Sequence, residues 1–156
     1  MHQLIDDVKQ GNIFIIDYNE NVRNATVKLR EMGYGAAIVM ENSILKGIFT
    51  ERDILYKVVA NDLTPSSVLV KDIMVKNVMT VSGSENVFNA LNLLRENKIR
   101  RLVVVDNDGK VTGIVSIRDL MFSLMNDLQE ENDLLGEFLI EEISHDIDEL
   151  KKKNEV

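Results

Sequence analysis

Apolar positions over residues 1–119 fall into two kinds of run that alternate along the chain. Continuous runs at residues 13–16, 36–40, 78–81 and 102–105 have the length and β-branched content of buried strands. Between them Val22, Ala25, Leu29 and Met32, and later Val87, Ala90 and Leu94, recur at the spacing of one helix face. A polar turn with Glu20-Asn21 or Glu85-Asn86 precedes each predicted helix. A further strand ends at Thr50 or Ser116, where a second helix is predicted to start. Asp106-Asn107-Asp108-Gly109 is a strong hairpin signal. The order is β-α-β-β-α, twice.

The two halves are copies. At an offset of 65 residues, Asn12, Glu20, Asn21, Val22, Asn24, Ala25, Leu29, Arg30 and Glu31 fall on Asn77, Glu85, Asn86, Val87, Asn89, Ala90, Leu94, Arg95 and Glu96. One inserted residue makes the offset 66, and residues 47–54 then lie over residues 113–120. The fold class is therefore read as α/β (α+β). It divides into a first repeat at 6–60, a linker at 61–70 around the only proline, Pro65, a second repeat at 71–122 and a tail at 123–156.

Composition changes this picture mainly at the tail. The net charge is −8, yet residues 1–119 hold 15 acids and 15 Lys/Arg, whereas residues 120–156 hold 11 acids and three lysines. A neutral body with an acidic tail argues against general nucleic-acid binding, which needs a basic face. The chain has no cysteine, which removes disulfides, thiolate metal sites and cysteine nucleophiles, and its two histidines, His2 and His145, are far apart. No metal site and no catalytic residue is predicted. The pattern contains neither a P-loop nor a Gly-x-Gly-x-x-Gly fingerprint. Without a long apolar run or signal-peptide pattern, the expectation is a soluble, cytoplasmic chain with no membrane contact.

Candidate chemistry sits at the paired corners Thr50-x-x-Asp53 and Ser116-x-x-Asp119. Such a corner is a helix cap in its plainest reading, although a capping box prefers Glu or Gln, and Asp reaches back less well. It is also a helix start with N–H groups and a hydroxyl for a phosphate, and with a carboxylate for ribose hydroxyls. The two roles can coexist. Lys98-Ile99-Arg100-Arg101-Leu102 adds guanidinium groups suited to phosphate, or else plain solvated charge. The first copy has Gly33-Tyr34-Gly35-Ala36 at this place, small enough for a flat ring to approach. Any two related sites should therefore differ.

The paired Gly-apolar-apolar-[Thr/Ser]-x-Arg-Asp-[Ile/Leu] corners, the Ile99–Leu102 segment and the β-α-β-β-α order resemble the cystathionine β-synthase (CBS) domain, and two copies resemble a Bateman module. The likeness spans residues 6–122 and departs from the common pattern at Val103, where proline is frequent. It implies two repeats packed sheet on sheet about a pseudo-two-fold axis, with two clefts for an adenine nucleotide (AMP, ADP or ATP) or S-adenosylmethionine. By the same resemblance Asp119 would hold a ribose, Ser116, Arg100 and Arg101 a phosphate, and Asn12, Ile13, Phe14, Gly35 and Ala36 a base. The other cleft would pair Thr50 and Asp53 with Met74, Asn77, Val78 and Met79, and is expected to be the weaker. The implied function is a stand-alone regulatory sensor and not an enzyme; the alternative is an assembly adaptor with empty clefts.

The tail reads as a helix. Leu124, Leu128, Leu135, Leu139, Ile143, Ile147 and Leu150 form an apolar stripe, and residues 120–150 carry ten acids with no Lys or Arg. Asn132 and Gly136 weaken its middle, which predicts a kink or two shorter helices. The stripe is expected to pair with a second subunit, giving a homodimer, or with a regulated partner protein.

Overall fold

A computed structural model describes residues 4–9 and 13–154, with side-chain surroundings through residue 137 and at Ile140. Each repeat forms a three-stranded sheet covered by one long helix. In the first, β1 (Ile15–Asp17) runs parallel to β2 (Ala36–Glu41), which is antiparallel to β3 (Ile44–Thr50). In the second, β4 (Thr80–Ser82), β5 (Arg101–Val105) and β6 (Val111–Ser116) repeat that order. The covering helices are α2 (Val22–Met32) and α5 (Val87–Glu96). Asn21 caps α2 by accepting from the Asn24 amide, and Asn86 caps α5 by accepting from Phe88 and Asn89.

Strand register locates the inserted residue. Ile15 pairs with Ile38 and Thr80 with Val103, so β2 matches β5 at an offset of 65. Ala36 faces Thr50 and Arg101 faces Ser116, so β3 matches β6 at 66. The extra residue therefore lies in the second hairpin, around Gly109 at φ 77°. Asp106 holds this turn by accepting from the amides of Asp108 and Lys110.

Strands β2 and β5 are buried on both faces, as their unbroken apolar runs require. Ala37 and Val39 meet α2 residues Val22, Ala25 and Leu29, while Leu102 and Val104 meet α5 residues Val87, Ala90 and Leu94. Ile38, Ile48 and Val103 point the other way and join the two sheets in a third apolar layer.

The segments opening each repeat are exchanged. The short helix α1 (Ile5–Val8) precedes the first sheet, but fully buried Ile5 packs with Val81, Val87 and Leu94 of the second. The Ile5 amide donates to the Glu85 carbonyl at 2.9 Å and the Asp6 amide to that of Gly83 at 2.9 Å. Reciprocally, α4 (Val70–Ile73) places Val70, Ile73 and Met74 in the core of the first repeat, with the Val70 amide donating to the Glu20 carbonyl. Each repeat is completed by the chain that leads into the other.

After α2, Gly33 takes the left-handed conformation at φ 70°, which glycine adopts freely. Lys98, 65 positions later, sits at φ 53° where a side chain is strained. Lys98→Gly is therefore expected to stabilise the fold by about 1 kcal/mol, read as a raised urea midpoint with unchanged slope.

The helices leaving the two corners differ. In the first repeat α3 (Glu51–Asp53) passes into a π-helical stretch at Ile54–Val58 and a 3-10 turn at Val59–Asn61. In the second, α6 (Ile117–Asn154) runs on for 38 residues. The break into two shorter helices expected around Asn132 and Gly136 does not occur. One glycine costs a helix only about 1 kcal/mol, and its neighbours are mostly good helix formers.

Candidate functional site

Both corners close on themselves in the same way. The Thr50 amide and hydroxyl donate to Asp53 Oδ2 at 3.0 and 2.6 Å, and the Asp53 amide returns to Thr50 Oγ1 at 3.3 Å. The Ser116 amide and hydroxyl donate to Asp119 Oδ2 at 2.8 and 2.6 Å, with the Asp119 amide 3.4 Å from Ser116 Oγ. Aspartate thus reaches back in both copies, against the expectation from its length, because the Ser/Thr hydroxyl also turns towards it.

Beyond the cap the corners diverge. The other Asp53 oxygen accepts from Lys57 Nζ at 2.8 Å, and the same ammonium donates to the Ile73 carbonyl at 2.5 Å. Asp53 is only 5% exposed. Position 123, which matches Lys57, is a serine. The first carboxylate is locked by a cation and the second has no lysine at that step. Comparing residues 57 and 123 in the repeat alignment would have revealed this difference.

The second corner opens into a cavity of about 420 Å³ between the repeats. Phe14, Tyr34, Gly35 and Ala36 of the first repeat line it, facing Arg100, Arg101, Ser116, Arg118 and Asp119 of the second. Phe14 and Tyr34 are stacked, with ring centroids 5.8 Å apart and planes at 17°. The strand register equates Gly35 and Ala36 with Arg100 and Arg101, so one repeat supplies space and the other charge. Backbone bonds fix both sides. The Glu51 amide donates to the Gly35 carbonyl at 3.3 Å, and the Ile117 amide to that of Arg100 at 3.0 Å.

Three guanidinium groups and the carboxylates of Glu51 and Asp119 leave the cavity lining one positive charge in excess. Partial burial first, then Arg100 alongside, depress the pKa of Arg101, while Glu51 and Asp119 oppose the shift. Its guanidinium stays charged at neutral pH. Such a wall is preorganised for an anion, because guanidinium forks pair with phosphate oxygens.

The other sequence candidates lie elsewhere. Ile13 packs between the sheets, and Asn12 falls outside the described residues. Met74 is buried in the first core, Val78 lies in the layer between the sheets, Met79 packs on the second core, and Asn77 is exposed. None of these four lines the cavity. A methyl group on Gly47 would come within 2.7 Å of Met74 Sδ and 2.5 Å of the Val75 carbonyl oxygen, so the segment after α4 packs closely on β3. Glu51, Arg118 and the Phe14–Tyr34 stack went unrecognised in the sequence. Arg118 was legible in the repeated Arg-Asp pair, whereas Glu51 has only Ile117 as its counterpart.

At Gly35 a methyl group would meet Glu51 Oε2 at 3.0 Å and an Arg101 nitrogen at 3.4 Å, both ends of flexible side chains. Gly35→Ala should therefore leave the melting temperature nearly unchanged while narrowing the cavity. A drop in ligand affinity without loss of stability, read by calorimetry beside a thermal melt, is the expected outcome.

Residues 5–60 and 70–126 each match the CBS domain family. The chain belongs to the CBS-domain family. It is 34% identical over 118 residues to an uncharacterized protein of Methanopyrus kandleri, a match covering 75% of this chain and 60% of that one. It is also 33% identical over 115 residues to an arabinose 5-phosphate isomerase of Francisella tularensis, covering 73% of this chain and 35% of the isomerase. The CBS pair thus spans less than two-thirds of either relative. Among solved structures, a CBS-domain protein from Burkholderia ambifaria superposes with TM-score 0.73 at 32% identity, covering 79% of this chain and 92% of that one. A hexameric CBS-CP12 protein from bloom-forming cyanobacteria superposes with TM-score 0.72 at 28% identity, over 78% and 68% of the two chains. Among the described residues no helix is long and apolar enough to cross a membrane, and no acidic or histidine cluster could hold a metal.

Proposed function

We propose that this CBS pair is a ligand sensor without catalytic activity, taking one adenine nucleotide per chain in the cavity of the second corner. The supporting observation is the arginine wall of Arg100, Arg101 and Arg118 facing the Phe14–Tyr34 stack and Gly35 across about 420 Å³. Phosphate goes to the arginines and the Ser116 corner, and the base lies against the aromatic and glycine side. The ribose hydroxyls donate to Asp119, whose carboxylate lines the cavity and acts as an acceptor when ionised. The excess positive charge favours AMP, ADP or ATP over S-adenosylmethionine, whose sulfonium is itself cationic. The ligand state then passes to a second subunit and a partner protein through α6. The locked Asp53–Lys57 pair argues for one occupied corner rather than two.

Thermal melts with each ligand test the charge argument. A larger rise in melting temperature with AMP, ADP or ATP than with S-adenosylmethionine at equal concentration is expected. A larger rise with the sulfonium ligand contradicts the assignment, and no rise with any ligand favours an assembly adaptor.

A further inference from the structure

Helix α6 leaves the body with an apolar edge facing solvent. Met121, Met125, Leu128 and Leu135 are 45%, 62%, 60% and 62% exposed. Among the described residues its first turns pack on the second repeat, through buried Leu120 and half-buried Leu124. At 38 residues it is about 57 Å long.

Its exposed edge has a definite period. Met121, Met125, Leu128, Asn132 and Leu135 are separated by steps of four, three, four and three, the seam of a heptad repeat. The sequence continues the seam through Leu139, Ile143, Ile147 and Leu150, with three successive steps of four after Leu135. Within that seam Asn132 occupies a core position between two leucines. A carboxamide there needs a partner that both donates and accepts, and another asparagine does both.

Charge placement identifies the partner. Asp127, Glu130, Asp133 and Glu137 occupy positions away from the seam. Among residues 120–137 only Glu131 stands beside it, and in a parallel pair its counterpart across the seam is Gly136; further along the sequence Asp146, next to Ile147, has Lys151 as its counterpart. Like charges therefore do not oppose one another, so a second copy is tolerated despite the acidic tail. A basic partner helix would call for acids flanking the seam.

We propose that α6 pairs with the α6 of a second copy as a parallel, in-register two-stranded coiled coil, the two Asn132 side chains facing each other. This assembly stands independently of the ligand assignment.

The full chain has no cysteine, so single replacements report on register. On mild oxidation Leu128→Cys and Leu135→Cys should each cross-link with themselves, and a mixture of the two should give mainly self pairs. Glu130→Cys, off the seam, should stay uncross-linked. Mixed 128–135 pairs would show an antiparallel arrangement and overturn the proposal. The double variant Leu128→Asp/Leu135→Asp should halve the mass measured by sedimentation equilibrium. Its melting transition should be that of the isolated body, because both side chains are largely exposed. A wild-type chain that sediments as a monomer, or a double variant that keeps the wild-type mass, also overturns it.

Discussion

Replacing Ile5 by alanine is expected to loosen the second repeat, although Ile5 stands ahead of the first in the chain. Its side chain is fully buried among Val81, Val87, Ala90 and Leu94. Truncation of such a side chain costs about 2–5 kcal/mol. Native-state hydrogen exchange should show the loss at α5 and β5 while α2 keeps its protection. Val70→Ala, at the reciprocal place in the first core, should do the reverse at smaller amplitude. Protection lost first in α2 of the Ile5→Ala protein would contradict the exchange of opening segments. The exchange also explains why the repeats are a single structural unit: each core borrows from the chain that enters the other.

The second large effect separates the two corners. Asp119→Ala removes a cap, worth about 1 kcal/mol, together with the proposed ribose acceptor. A hydrogen bond to a charged group is worth about 1.5–3 kcal/mol, so nucleotide affinity should fall by about 10- to 150-fold. Arg101→Ala should cost a similar factor for nucleotides carrying phosphate and little for adenosine. Asp53→Ala should leave affinity unchanged but destabilise the fold, since it strips Lys57 and the Thr50 amide of their acceptor. Equal losses of affinity at both aspartates would mean that the Asp53–Lys57 pair does not close the first corner.

The duplication, the strand–helix order and the two corners were legible because apolar spacing and identity recur together. Val22, Ala25 and Leu29 predict the buried face of α2 correctly, and Asp106–Gly109 marks the hairpin that holds the inserted residue. The exchanged openings were not legible, since the pattern around Ile5 and Val70 is short and carries no information about which core receives it. In sequence, aspartate at the third helical position reads as a poor cap, yet the hydroxyls of Thr50 and Ser116 bring it into range. The cavity was half visible: its arginines and Asp119 stand out in sequence, whereas the Phe14–Tyr34 stack depends on how β1 and β2 meet. In sequence, Asn132 reads as a weak point in a helix. On a continuous α6 it becomes a position on an exposed seam.

One corner open to a nucleotide beside a twin locked by Lys57 means one site per chain. Calorimetric titration of the wild-type chain with AMP, ADP and ATP measures it directly. Titration should give a single site, abolished or strongly weakened in Asp119→Ala and intact in Asp53→Ala. Two equivalent sites per chain, or binding that Asp119→Ala leaves untouched, would contradict it.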